Sequence, residues 1–220
     1  MTEFAATIHH LQDRVSASGR EITLLAVTKT VPPERVDAAL AAGITVFGEN
    51  KVQEAKSKIP LVSSRARWHF IGDLQSNKAR DAVELFELIH SVDSVKLATE
   101  LNRWADRAGK TQPILLEVNL AGEARKSGVK PEDLPATLAQ INQLPRLEVR
   151  GLMAVPPYCE EAEKVRPYFR RLRELRDANA LRELSMGMSH DFEIAIEEGA
   201  TIIRIGTAIF GERKKHEFTD

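Results

Sequence analysis

The chain has 220 residues, and its 43% hydrophobic and 29% charged content is that of an ordinary globular protein of one domain. With 31 basic and 32 acidic residues the formal net charge is −1, so the composition indicates neither a nucleic-acid-binding protein nor a disordered one. The single cysteine, Cys159, excludes an intrachain disulfide, no apolar run approaches the ~20 residues of a membrane helix, and the first residues lack the pattern of a signal peptide, so we expect a cytoplasmic protein.

Short apolar runs rich in β-branched residues alternate with segments of helical periodicity along the chain. The predicted strands cover residues 22–28, 44–47, 67–71, 87–92, 113–120, 147–153, 183–186 and 201–205. The predicted helices cover residues 3–18, 33–42, 94–108, 131–143 and 190–198. This alternation is typical of a parallel sheet, and eight units favour one domain over residues 1–220: a single (β/α)8 TIM barrel, of the α/β class, with an additional N-terminal helix. A doubly wound open sheet is the structural alternative.

Lys29 ends the first predicted strand and is followed by a loop containing Pro32 and Pro33. A lysine at the mouth of a core is partly desolvated, which lowers its pKa and frees an amine that can attack a carbonyl. A solvated lysine at the end of a strand is the simpler interpretation of this residue taken alone.

Gly206 and Thr207 follow the last predicted strand, and residues 208–211 can form a short extra helix. Glycine and a hydroxyl at the start of a helix are typical of a phosphate site, and barrels often bind phosphate after their last strands. Because the carboxyl ends of all the strands meet at one face, Lys29 and this segment predict a ligand that carries both an aldehyde and a phosphate. Pyridoxal 5′-phosphate (PLP) fits that description.

Other polar side chains at the strand ends have simpler interpretations. Arg204, inside an apolar strand, needs a buried acceptor, which a carboxylate or a ligand atom can supply. We expect Ser189 to cap a helix that starts near His190, and His69 to be a satisfied strand histidine rather than a catalytic base. The six histidines show no spacing typical of a metal site.

Several sequence blocks together form a recognisable pattern: Ala26–Lys29, Phe47–Glu54, Trp68–Gly72, Leu74–Lys78, Lys126–Gly128, Gly151–Met153, Leu184–Ser189 and Arg204–Gly211. These blocks resemble the YggS/PROSC family of pyridoxal phosphate homeostasis proteins. The resemblance spans residues 25–211. Two positions depart from the family pattern: Asp73 replaces a usual proline, and His190 replaces a usual aspartate.

The resemblance implies a barrel similar to the N-terminal domain of alanine racemase, with PLP held as a Schiff base on Lys29. It also implies that Asn50 lies near the cofactor ring, that Ser185, Gly206 and Thr207 bind the phosphate, and that Arg204 faces the pyridine nitrogen. An arginine there disfavours protonation of the ring, which weakens it as an electron sink.

We therefore expect a carrier and regulator in PLP homeostasis, without strong catalysis, that serves PLP-dependent apoenzymes as a monomer or weak dimer. We expect no counterpart of the second domain that gives racemases a tyrosine base, and Tyr158 and Tyr168 are predicted in or near a helix. A PLP-dependent racemase or lyase of low activity is the alternative. A phosphosugar enzyme, which would leave Lys29 without an adduct, is the third hypothesis.

Overall fold

The computed structural model describes residues 2–123 and 127–211, and their eight strands form one closed parallel barrel in the order of the chain. The strands are β1 (Thr23–Val27), β2 (Val46–Glu49), β3 (Arg67–Phe70), β4 (Leu88–Val92), β5 (Gln112–Glu117), β6 (Leu147–Met153), β7 (Glu183–Ser185) and β8 (Ile202–Ile205). The barrel closes where Thr23 of β1 pairs with Ile202 of β8. The predicted TIM barrel is confirmed, and the doubly wound alternative is excluded.

The described residues form nine α-helices outside the barrel. They are α1 (Glu3–Ser16), α2 (Pro33–Ala41), α3 (Val52–Lys58), α4 (Ala79–Leu85), α5 (Val95–Arg107), α6 (Leu134–Ile141), α7 (Arg166–Ala178), α8 (Phe192–Glu197) and α9 (Thr207–Phe210). The sixth helix starts three residues later than predicted because residues 131–133 form a turn before it. None of these helices combines the length and the apolar character that crossing a membrane requires.

The additional N-terminal helix, α1, is amphipathic and buries Ile8, Leu11 and Val15. Its first turn packs on α9, since the rings of Phe4 and Phe210 lie 6.0 Å apart. The N-terminal helix therefore braces the short helix that follows the last strand.

Alternation along the strands decides which side chains enter the barrel. Leu25, Val27, Leu88, Leu115 and Ile202 belong to one small apolar cluster, while a larger cluster fills the space between strands and helices. Because successive strand residues face opposite sides, residues two positions from the small cluster also face inward. These inward positions include His90 and Arg204, which lie two residues after Leu88 and Ile202. His69 and Ser185 also face inward, because they pair with Leu88 and Met153 of the same cluster.

Candidate functional site

A cavity of about 400 Å³ opens at the C-terminal ends of the strands. Five of the six predicted site residues line it: Lys29, Asn50, Arg204, Gly206 and Thr207. They come from loops or strand ends after β1, β2 and β8, which lie side by side in the barrel. The structure thus brings together the amine and the glycine–threonine segment that are far apart in sequence.

Lys29 is half-buried and stands between two residues that are each tied to a carboxylate. Thr28 donates its hydroxyl to Glu49 Oε1 at 2.6 Å, and the backbone N–H of Thr30 donates to Glu54 Oε1 at 2.5 Å. Thr30 has a φ of 63°, a conformation that a non-glycine residue rarely adopts, so this tether also holds the strained turn after Lys29.

The side chain of Lys58 bridges these two carboxylates. Its Nζ donates to Thr28 O at 2.6 Å, to Glu49 Oε1 at 2.7 Å and to Glu54 Oε1 at 2.7 Å. Burial raises the pKa of Glu49, and the hydrogen bond from Lys58 opposes that rise. A buried cation between two acids therefore fixes the backbone on both sides of Lys29.

Asn50 supplies a polar atom without a protein partner. Its Oδ1 is buried, and among the described residues no donor reaches it. A buried polar atom costs free energy unless it is hydrogen-bonded, so an acceptor that lines a cavity is well suited to contact a ligand.

Arg204 closes the floor of the cavity. Its Nη1 donates to Ser185 Oγ at 2.7 Å and its Nη2 to Ala154 O at 2.9 Å, so no carboxylate pairs directly with it among the described residues. Burial lowers the pKa of Arg204 to about 10, and the charges of Glu117 and Asp191 oppose the shift. The group remains a cation at neutral pH.

Ser185 is the predicted site residue that the structure does not bring to the cavity wall. It is fully buried in the barrel, where its hydroxyl contacts Arg204 and His90. Ser189 lines the cavity instead, and its Oγ accepts the N–H of Ala208 at 3.2 Å. The expectation that Ser189 caps the helix that follows it was wrong, because α8 begins at Phe192 after Asp191, whose carboxylate accepts the N–H of Met188.

The start of α9 offers donors to a ligand. Within the described residues the backbone N–H groups of Gly206 and Thr207 donate no hydrogen bond, and both residues line the cavity. Ser189 stands beside them. Two open N–H groups and two hydroxyls form a neutral cradle of the kind that binds phosphate.

Tyr158, predicted in or near a helix, lies in the loop between β6 and α7. It lines the mouth of the cavity that Lys29 also lines. Its ring lies 5.6 Å from that of His190, whose Nε2 contacts Glu160 O at 3.0 Å. Tyr168 is in α7, as predicted. No sequence signal marked residue 158, because only the path of the loop decides where it lies.

His69 is a satisfied strand histidine, as predicted, since its Nδ1 lies 3.1 Å from His90 Nε2. It lines a second cavity, of about 600 Å³, beside residues that begin β1, β3 and β8, at the opposite end of the barrel. Burial lowers its pKa to about 3, so the imidazole is neutral.

Glu117 and Asp73 line a smaller cavity of about 260 Å³ that shares Asn50 with the first. Burial raises the pKa of Glu117 to about 7, and the charge of Arg204 opposes the shift. Lys126, part of one family-like block, lies outside the described residues.

Comparisons with known proteins give the family of this chain. The alanine racemase N-terminal domain family matches residues 2–214. The pyridoxal phosphate homeostasis protein of Aquifex aeolicus is 50% identical over 198 residues, which cover 87% of each chain. This chain belongs to the pyridoxal phosphate homeostasis family. The Escherichia coli K12 member of that family is 41% identical over 234 residues, with 97% of this chain and 98% of that chain covered.

A solved structure of 40% sequence identity has the same fold. PipY of Synechococcus elongatus PCC7942, determined with PLP bound, superposes with a TM-score of 0.86 at 40% identity over 95% of this chain and 100% of that chain. An alanine racemase of Clostridium difficile superposes with a TM-score of 0.71 at 11% identity, over 58% of its length, which shows a shared barrel.

Proposed function

We propose that this protein binds PLP as a Schiff base on Lys29 and acts as a carrier and regulator in intracellular PLP homeostasis. The proposed location is the cytoplasm, and the proposed partners are PLP-dependent apoenzymes. PLP supplies an aldehyde that condenses with primary amines and a ring that withdraws electrons from the bound amine.

The observation that carries the proposal is one cavity with an amine on one wall and a phosphate cradle on the other. Lys29 provides the amine, and Gly206, Thr207 and Ser189 provide the cradle. The buried Oδ1 of Asn50, which has no hydrogen-bond partner among the described residues, lines the same cavity after β2. A phosphate without an aldehyde would use the cradle but would leave Lys29 without a chemical role, which disfavours the phosphosugar hypothesis.

The proposed roles follow from these positions. Lys29 holds the aldehyde, Asn50 contacts the ring, and Arg204 faces the pyridine nitrogen. Gly206 and Thr207 bind the phosphate together with Ser189. Ser185 acts indirectly by holding Arg204, since its hydroxyl oxygen already accepts a hydrogen bond from that guanidinium.

A carrier function is consistent with the charge of the site. Arg204 is a cation that no acid among the described residues contacts directly, and a cation against the ring nitrogen opposes ring protonation. The ring then stabilises negative charge on a bound amino acid poorly. We therefore expect a bound amino acid to be held reversibly and to keep its α-proton.

One observation favours the alternative, a PLP-dependent racemase or lyase of low activity. Tyr158 places a phenol at the mouth of the cavity, where a second proton-transferring group would stand. The phenol is 77% exposed, so its environment does not exclude water or lower the barrier to proton transfer as an enclosed base would. We therefore keep the carrier function as the conclusion.

The test is covalent trapping. The purified protein should absorb near ~420 nm, as PLP imines generally do. Borohydride reduction followed by peptide mapping should place the adduct on Lys29, and Lys29→Ala should lose it. Lys51→Ala, at an exposed lysine nearby, is the matched control and should keep the adduct. An adduct that maps to Lys51 or Lys126 in the native protein would overturn the assignment.

A further inference from the structure

A chain of hydrogen bonds crosses the inside of the barrel from one end to the other. His69 Nδ1 lies 3.1 Å from His90 Nε2, and His90 Nδ1 lies 2.8 Å from Ser185 Oγ. Ser185 Oγ in turn accepts from Arg204 Nη1 at 2.7 Å. Arg204 lines the cavity that holds Lys29, and His69 lines the cavity at the opposite end, so the relay of these four residues connects the two.

All four side chains of the relay are shielded from bulk water. The exposed fraction is 5% for His69, 0% for His90 and Ser185, and 4% for Arg204. Burial lowers the pKa of both imidazoles, and for His90 the positive charge of Arg204 adds to the effect. Both histidines are therefore neutral, and each carries one N–H and one acceptor nitrogen.

The direction of the relay follows from the chemistry of Arg204. A guanidinium only donates, so Ser185 Oγ must accept from it. The Ser185 hydroxyl has contacts only to Arg204 and His90 among the described residues, so its own proton goes to His90 Nδ1. His90 must then carry its proton on Nε2 and donate to His69 Nδ1, which leaves the proton of His69 on Nε2.

We propose that His90 is a positioning residue for the cofactor ring, which acts through Ser185 and Arg204, and that His69 accepts the N–H that His90 carries on Nε2. By accepting the Ser185 proton, His90 keeps the serine oxygen available to Arg204. The oxygen then holds the guanidinium in place at the floor of the cavity. With the other tautomer, two donors would converge on Ser185, and its own proton would have no acceptor within the barrel. The part that concerns the ring rests on the proposed function, whereas the direction of the relay does not.

The direction is tested first, without PLP. Long-range ¹H–¹⁵N correlation spectra of the histidine-labelled full-length protein report which ring nitrogen carries the proton. We expect a bare Nδ1 and a protonated Nε2 in both His69 and His90. A protonated Nδ1 in His90 would overturn the proposal, and this measurement needs no variant to fold.

The positioning role is tested with two variants and two ligands. His90→Asn retains an oxygen near the place of Nδ1, whereas His90→Leu retains no acceptor. We expect His90→Leu to weaken PLP binding by about tenfold, the effect of losing roughly one hydrogen bond, and His90→Asn to restore most of it. An analogue of PLP with a C–H in place of the ring nitrogen should bind native protein and His90→Leu almost equally.

Equal loss for both ligands in His90→Leu would show a merely structural role and overturn the positioning assignment. If native protein failed to bind PLP, the proposed function would fail, while the tautomers would still decide the direction of the relay. If His90→Leu did not fold, His90→Phe, which also lacks an acceptor but keeps a planar ring, would decide with the same two ligands: loss of the preference for PLP supports the role, and an unchanged preference contradicts it.

Discussion

The ammonium group of Lys58 lies 2.7 Å from Glu49 Oε1, and both side chains are withdrawn from solvent, with exposed fractions of 6% and 0%. This pair lies next to the turn that contains Lys29, since both of its side chains are hydrogen-bonded to Thr28. Since the same ammonium also binds the backbone oxygen of Thr28, the pair couples the folding of β1 and β2 to the position of the proposed reactive amine.

The first prediction concerns this pair. Lys58→Met should lower the free energy of unfolding by about 3–5 kcal/mol, because it leaves Glu49 buried without its cation. It should also weaken PLP binding, because Thr28 is no longer held. Urea unfolding and absorbance titration measure the two effects. The double variant Lys58→Met with Glu49→Gln should recover part of the stability, and no recovery would show that the pair is not coupled.

The second prediction separates the phosphate cradle from the relay. Ser189→Ala together with Thr207→Val should weaken PLP binding by about tenfold and leave pyridoxal, which lacks the phosphate, nearly unaffected. Ser185→Ala is the matched control, because it disturbs Arg204 beneath the ring and should weaken both ligands alike. If Ser185→Ala acted on PLP alone, the phosphate would contact Ser185 after all.

The third prediction concerns proton exchange. Incubation of the PLP-loaded protein with L-alanine in deuterated water should give little exchange of the α-proton above that of free PLP, because Arg204 opposes ring protonation. Mass spectrometry of the recovered alanine measures the rate. Exchange at about 1 s⁻¹ or faster would mark a catalyst. Tyr158→Phe is then the first variant to make, since Tyr158 rather than His69 lines the cavity.

The fourth prediction is a pH dependence of stability. Burial raises the pKa of Glu117 from 4.5 to about 7. Between these values the folded chain holds a proton that the unfolded chain has lost, so this group makes the free energy of unfolding fall as the pH rises. Relative to Glu117→Gln, the native protein should therefore lose stability from pH 4.5 to 7, by at most about 3 kcal/mol.

Glu148→Gln serves as the control of opposite sign. The hydrogen bond from Arg150 lowers the pKa of Glu148, so its ionised form stabilises the folded chain. Relative to this variant, the native protein should gain stability as the pH rises through the acid range up to 4.5. If the stability difference between the native protein and the variant changed with pH in the same direction for both variants, the raised pKa assigned to Glu117 would be wrong.

The strands could be predicted from the sequence because their signal is local. A buried parallel strand reads as a short apolar run, and residues 147–153 match β6 at both ends. Once the barrel was inferred, Lys29, Arg204, Gly206 and Thr207 followed, since all strand ends of a parallel barrel share one face. The inward orientation of the Arg204 side chain could also be predicted, because Arg204 lies two residues after Ile202 on the same strand.

The amino-acid sequence by itself determined the barrel, its family and the face at which an amine and a phosphate cradle meet. Only the tertiary structure decided that Ser189 replaces Ser185 at the cavity wall, that Tyr158 stands at its mouth, and that His69 belongs to the opposite end. Strand periodicity fixes which side of the sheet a residue faces but not its depth along the barrel axis or the path of a loop. Those are set by strand stagger and by packing between residues far apart in sequence, as in the contact that joins His90 to Ser185.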